Sequence, residues 1–192
     1  MKKTEKLLID ITFELIYKKG YHATNITELL EKAGMTKGAM YYHFKSKHAL
    51  VLASMKHYLD IILQEHWVQP LKTSDEPINT LLQQIDSYYS MFADKKHFLD
   101  VKHGCPLSNF SSDMSDLDDE FFTYLKSVYT SWQLAIEDAL LRGNTKTAFD
   151  AKKQALFIIS SLEGSIESAK AYRDLTTLQD NVEILGDYIK GL

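Results

Sequence analysis

The stretch Thr36-Lys37-Gly38-Ala39-Met40-Tyr41-Tyr42-His43-Phe44-Lys45-Ser46-Lys47 gathers the residues of this chain best suited to hold a polyanion. Lys37, Lys45 and Lys47 supply positive charge, and Tyr41, Tyr42 and His43 offer flat faces with polar tips for sugar, thymine methyl or phosphate. Thr36 is an N-cap type, its hydroxyl able to accept from a free N–H of a first turn, and such a turn attracts phosphate. Gly38 removes side-chain bulk where a backbone can come close to a duplex. Met40 and Phe44 stand four apart and share one face, which should point inward.

These residues need a frame. Upstream, Ala33-Gly34-Met35 reads as a helix end and a tight turn, with Gly34 free to take the left-handed conformation. Asn25 and Glu28 fit a capping box that opens a helix carrying Ile26, Leu29, Leu30 and Ala33 inward. A first helix over Glu5–Lys19 shows Leu8, Ile11, Thr12, Leu15 and Ile16 at steps of three and four. Helix, short turn with Gly, and second short helix make helix-turn-helix grammar, in which the second helix enters the DNA major groove. Lys37, Tyr42 and His43 are expected at base edges or adjacent phosphates. Thr27, Tyr41 and Lys47 are expected to position the DNA backbone.

From about residue 5 to 50 the chain resembles the DNA-binding domain of the TetR family of bacterial transcriptional regulators. The resemblance rests on Lys19-Gly20-Tyr21, Ala23-Thr24-Asn25-Ile26-Thr27-Glu28-Leu29-Leu30, Ala33-Gly34, and Thr36-Lys37-Gly38 running into Tyr41-Tyr42-His43-Phe44-Lys45-Ser46-Lys47-His48-Ala49-Leu50. It implies an all-α fold: a homeodomain-like three-helix domain over 1–47 and a helical ligand-binding and dimerisation domain over 48–192. It also implies a homodimer on a near-palindromic DNA operator, repression, and release by a small effector. A Gly104-Cys105-Pro106 element followed by Asn109 and small residues is similar to one found in some members.

Composition agrees. Three prolines and eight glycines in 192 residues favour long helices. Residues 1–47 hold nine lysines against five acids, whereas the remainder carries eight more acids than bases, so a basic head sits on an acidic body. No apolar run approaches the length of about 18 residues that a membrane helix needs, and Met1-Lys2-Lys3-Thr4-Glu5-Lys6 does not open a signal peptide. A single cysteine fits a reducing cytoplasm. No catalytic constellation, phosphate loop or metal motif occurs, so no enzyme activity and no cofactor are expected. His97, Asp100 and His103 do not make a recognised ligand set. Cys105 is either a small buried hydrophobe or a sensor thiol whose pKa Lys102 and His103 could lower.

The rest of the chain reads as further helices. Ser46 starts one that runs to about Trp67, where Pro70 ends it, and Ile78, Leu81, Leu82, Ile85, Tyr89 and Phe92 mark the next. Residues 94–118 are irregular around a short helix at Pro106. A long helix follows from Leu117 to Arg142, another starts at Thr147 or Asp150, and a last one carries Leu175, Leu178, Val182, Leu185 and Ile189 at heptad-like steps. By the resemblance, the last two helices form the dimer interface, with Leu162, Ile166, Leu178, Val182, Leu185 and Ile189 as its candidate residues. Tyr88, Tyr89, Phe92, Cys105, Phe110, Tyr129 and Trp132 are candidates to line a pocket for a mostly apolar effector. Two alternatives remain open: a small helical enzyme or carrier for an apolar molecule, and an effector-independent DNA-binding factor. The first leaves the basic helix-turn-helix unexplained, the second the helical body.

Overall fold

The computed structural model describes residues 1–143 and 150–192. Among them every regular element is helical: α1 Lys3–Lys19, α2 Ile26–Ala33, α3 Lys37–His43, α4 Lys47–Ile62, a π-helical segment Leu63–Val68, α5 Gln69–Thr73, α6 Pro77–Ala93, α7 Pro106–Met114, α8 Asp119–Arg142, α9 Ala151–Tyr172 and α10 Leu175–Gly191. The chain divides into two compact units, one of residues 1–61 and 109–125, the other of 62–108 and 126–192.

Local chemistry sets most helix starts. Asn25 Oδ1 accepts from Glu28 N at 2.8 Å, Thr36 Oγ1 from Ala39 N at 3.3 Å and Ser46 Oγ from Ala49 N at 3.0 Å. Asp118 Oδ1 accepts from Phe121 N at 3.0 Å and opens α8. Asp150 and Asp174 do the same for α9 and α10. Each satisfies a backbone donor that the helix itself leaves free. Gly34 ends α2 at φ 62, in the left-handed region where glycine carries no Cβ penalty. Of the two starts expected for α9, the structure uses Asp150; Thr147 lies outside the described residues.

In the first unit α1 packs on α2, and α2 on α3. Leu8, Leu15, Leu29, Met40 and Leu50 are at most 1 % exposed, and Phe44 closes the same core. Met40 and Phe44 therefore point inward, as their spacing requires. This small core leans on later sequence: Phe13 stacks on Tyr58 at 4.1 Å and meets Phe110 edge-on at 5.6 Å, and Phe121 sits against Tyr21 and His48.

One expectation fails in detail. The helix that begins at α4 does not stop before Pro70. It widens into the π-helical segment, where Gln69 N donates to Gln64 O, and continues through Pro70 to Thr73. A proline in mid-helix removes a donor and crowds the carbonyl four residues back. The wider turn just ahead changes the register, so Pro70 enters as the first-turn residue of a new segment.

In the second unit α10 packs on both α9 and α6. Arg142, at the end of α8, donates to the carbonyls of Leu71 and Ser74 and pairs with Asp138 at 2.8 Å, capping the C-terminus of α5. Among the described residues no helix is long and apolar enough to cross a membrane.

Candidate nucleic-acid interface and buried cluster

The edge formed by α3 is open. Thr27, Thr36, Lys37, Gly38, Tyr41 and Tyr42 are all exposed, Tyr42 at 77 %, and His43 is half-buried. Tyr41 and Tyr42 are large rings that the fold leaves in water, whereas Met40 between them and Gly38 is fully enclosed. A Cβ added at Gly38 would meet nothing within 4 Å, so the chain's own packing does not demand glycine there. Lys2 brings its ammonium to 5.7 Å from the Tyr42 ring and so adds a cation to the same edge. The Lys2-Lys3 pair was legible as charge, but not its position beside α3, which depends on where α1 starts.

Lys47 is held differently from the other basic residues. Its Nζ donates to Tyr21 O and lies 4.1 Å from the centre of the Tyr21 ring. Partial burial lowers its pKa, with Asp113 acting in the opposite direction. The backbone N–H of Tyr21 donates to Asp113, and His48 Nε2 stands 2.7 Å from Asp118 Oδ2. The turn between α1 and α2 and the start of α4 are thus tied to Asp113, near the end of α7, and to Asp118, just before α8, all within the first unit.

The second unit contains a buried cluster that mixes rings with polar groups. Trp67 Nε1 donates to the Tyr88 hydroxyl at 3.1 Å, and the Trp67 ring lies 4.8 Å from Trp132 and 5.7 Å from Tyr88. His66 packs on Tyr88, receives Gln84 on its carbonyl and pairs its Nε2 with Ser87 Oγ at 3.0 Å. Cys105 Sγ donates to Glu163 Oε1 at 3.2 Å. Three buried polar atoms of this region lack a hydrogen-bond partner: Gln84 Oε1, Trp132 Nε1 and Glu163 Oε2.

Of the seven pocket candidates, Tyr88, Cys105, Tyr129 and Trp132 belong to this neighbourhood, since the Tyr88 hydroxyl feels Cys105, Glu163 and Tyr129. Phe92 is buried in the same unit. Tyr89 instead lines a groove between α6 and α10 with Asp86, Val182 and Lys190, and Phe110 belongs to the core of the first unit. Trp67, Gln84 and Glu163 were missed. Nothing in their local pattern separates them from ordinary helix residues, and their placement is a tertiary fact.

Burial dominates the titrations here. It pushes the Cys105 thiol well above its usual range, and the nearby Glu163 carboxyl adds to the shift. The expectation that Lys102 and His103 would lower that pKa is therefore reversed, because the sulfur is enclosed and faces a carboxyl group. Burial likewise raises Glu163 to about 7, against the opposing hydrogen bonds from Cys105 and Ser108. The folded chain thus keeps a proton that the unfolded chain releases near 4.5, so stability falls as pH rises through that window and the loss is complete above about 7. Glu163→Gln, which cannot ionise, should melt above the parent at pH 8, by up to about 3 kcal/mol, and the gap should close toward pH 4.5. Thermal unfolding of both proteins across that range checks this, and a gap independent of pH contradicts it.

The six dimer candidates are all enclosed by their own chain. Leu162, Ile166 and Leu178 are fully buried, and Val182, Leu185 and Ile189 are no more than 5 % exposed. The heptad-like seam of α10 packs inward, on α9 and α6. The face that α9 and α10 leave open carries Leu156, Phe157, Ile184 and Tyr188, beside a groove of about 420 Å³ floored by Ser161, Gly164 and Ser168.

Comparison with known proteins agrees with this geometry. Residues 8–54 match the family model "Bacterial regulatory proteins, tetR family", and residues 79–183 match "Transcriptional regulator LmrA/YxaF-like, C-terminal domain". An HTH-type transcriptional regulator in the lacX 3' region of Lactococcus lactis subsp. lactis is 31 % identical over 186 residues, which covers 96 % of this chain and 92 % of the relative. The HTH-type transcriptional regulator TtgR of Pseudomonas putida is 25 % identical, with 98 % of this chain and 88 % of TtgR covered. The crystal structure of a TetR regulator from Chloroflexus aurantiacus superposes with a TM-score of 0.85 at 24 % identity, over 98 % of this chain and 94 % of that one, and so shares the fold. With an open basic edge on the second helix of a helix-turn-helix, and with family models matching both parts of the sequence, the chain belongs to the TetR family of bacterial regulators and is a DNA-binding transcriptional regulator, not an enzyme.

Proposed function

We propose that the chain represses transcription in the cytoplasm as a homodimer. Each copy seats α3 in one major groove of a near-palindromic operator, and a small molecule bound in the second unit releases the DNA. Functionally, residues 1–47 read the operator, and residues 48–192 pair the copies and take the effector. The observation that carries this reading is the α3 edge: Lys37, Tyr41 and Tyr42 are exposed, and the neighbours that Tyr42 does have, Lys2 and His43, leave it open to solvent. Lys37, Tyr42 and His43 address base edges and neighbouring phosphates. Thr27, Thr36, Tyr41 and Lys47 hold the backbone, and Gly38 lets it approach.

An ammonium has three donors. Lys47 can therefore keep its bond to Tyr21 O and still reach a phosphate, fixing the turn before α2 and the DNA together. Lys47→Ala should weaken binding to every duplex alike and flatten the dependence of log affinity on log salt by about one. Fluorescence anisotropy across a salt series measures this, and an unchanged slope removes Lys47 from the interface.

The pairing surface is the open face of α9 and α10. Leu156, Phe157, Ile184 and Tyr188 supply apolar contact, and the serines and Gly164 between them let a partner helix come close. An effector can act only through unequal affinity for the DNA-competent and incompetent states. Its influence reaches the first unit along the chain, which passes between units after Ile61, Ser108 and Leu125. The first of these passages adjoins the π-helical segment, a type of irregularity often found at functional hinges. Duplexes tiling the DNA upstream of the chain's own gene test the proposal. One duplex should bind two copies, and deleting either half-site should abolish tight binding; equal affinity for every duplex would overturn it.

A further inference from the structure

Four main-chain groups shape the turn between α1 and α2 at Gly20 and Tyr21, and each is engaged. Two are held from nearby: Gly20 N donates to Ile16 O at 2.8 Å, and Gly20 O accepts from the buried Thr24 hydroxyl at 2.8 Å. The other two are held from far along the chain. Tyr21 N donates to Asp113 Oδ2, 92 residues away, and Tyr21 O accepts from Lys47 Nζ. The approach of Asp113 depends on Gly20, whose φ of 82 favours glycine and where an added Cβ would sit 3.1 Å from Asp113 Oδ2. Lys47 touches Tyr21 a second time, its ammonium lying over the ring at 4.1 Å. Tyr21 therefore fixes the head group of Lys47, and Asp113 fixes Tyr21. A lysine ammonium rides on a flexible four-carbon stem and loses freedom when it takes a partner. Lys37 and Lys45 stand exposed and must lose that freedom on meeting a phosphate, whereas Lys47 is half-buried and ordered beforehand. A carboxylate beside a phosphate-binding lysine would, by charge alone, only oppose DNA. Its hydrogen bond from the Tyr21 N–H gives Asp113 the opposite role.

We propose that Asp113 is a positioning residue for DNA binding: by accepting from the Tyr21 N–H it holds the Tyr21 carbonyl and ring where they aim Lys47 at a phosphate. Asp113 acts from α7, through Tyr21, and itself makes no contact with DNA. This rests on the reading of Lys47 as a phosphate contact and names the residue behind it.

A phosphate contact is independent of sequence, so a duplex of arbitrary sequence at low salt serves as the probe. The test measures its affinity for the full-length protein by fluorescence anisotropy, with Asp113→Ala and Asp113→Asn each made in the parent and in Lys47→Ala. Asparagine keeps an oxygen that can accept from the Tyr21 N–H but carries no charge. In the parent, Asp113→Ala should weaken binding about tenfold, as loss of a charge-assisted hydrogen bond would. Asp113→Asn should bind within about threefold of the parent. In Lys47→Ala, Asp113→Ala should change affinity by less than about twofold, because the group it positions is gone. Exchange of the Tyr21 amide proton, followed by NMR, should be slow in the parent and in Asp113→Asn and fast in Asp113→Ala. Circular dichroism follows folding, and Asp113→Leu, of similar shape and without an acceptor, takes the place of an alanine variant that does not fold. An equal loss in both backgrounds overturns the proposal, since Asp113 would then steady the first unit as a whole. So does an Asp113→Asn loss equal to that of Asp113→Ala, or no loss in either. The salt slope separates the two ideas. If Lys47→Ala alone leaves it unchanged, the phosphate reading falls and the proposal with it. A slope flattened by about one, beside equal losses in the two backgrounds, keeps Lys47 on the phosphate and removes the role of Asp113.

Discussion

A chain carrying Phe157→Glu and Ile184→Glu is expected to sediment as a monomer and to lose at least two orders of magnitude in operator affinity. Both side chains stand open on one copy, at 50 % and 68 % exposure, so their replacement costs a single chain little. Four added carboxylates at a two-fold interface, two from each copy, oppose pairing by like-charge repulsion and by desolvation. The loss on DNA follows from linkage. A dimer engages its second half-site as an intramolecular event, an advantage of about 10² to 10⁴ that a monomer forfeits. Light scattering coupled to size exclusion, followed by anisotropy on the operator duplex, reads both effects. A variant that stays dimeric would move the interface away from α9 and α10.

Phe121→Ala should be the most damaging single truncation in the first unit, at about 3–5 kcal/mol. The ring is fully enclosed, meets Tyr21 edge-on at 5.7 Å and lies 4.4 Å from the His48 ring. It therefore fills the space beneath both the turn after α1 and the start of α4. Its removal leaves a cavity where the segment 109–125 supports the helix-turn-helix. Each kcal/mol moves the midpoint of a domain of this size by about 2–4 °C, so a drop on the order of 10 °C is expected. Phe122, its neighbour on α8, is 47 % exposed, and Phe122→Ala should cost well under half as much. Thermal unfolding by circular dichroism compares the pair, and equal losses would deny Phe121 this role.

The head was legible because its signals are short-range. Asn25, Gly34, Thr36 and Ser46 act within three residues of their own positions, and each does in the structure what its type allows. Asp150 and Asp174 extend the same rule to the last helices. Periodicity served less well where two partners compete for one stripe. The steps of Leu178, Val182, Leu185 and Ile189 mark a buried face, but whether it is buried by α9 and α6 or by a second copy depends on packing that spacing does not encode. Pro70 read as a stop because nothing in Leu63–Val68 announces a change of helical register. Glu163 gave no signal at all. A lone acid on an amphipathic helix reads as solvated, and only the assembled fold brings its carboxyl group against the buried Cys105.

Docking of the exposed α3 edge on double-stranded DNA through charge, two copies at a time, has a thermodynamic signature of its own. Affinity for the operator duplex, measured over a salt series with stoichiometry determined at each point, tests it most directly. Two chains per duplex and a log–log slope of several units, steeper for the parent than for Lys37→Ala, are the predicted result. A flat salt dependence, or one chain saturating the duplex, would contradict it.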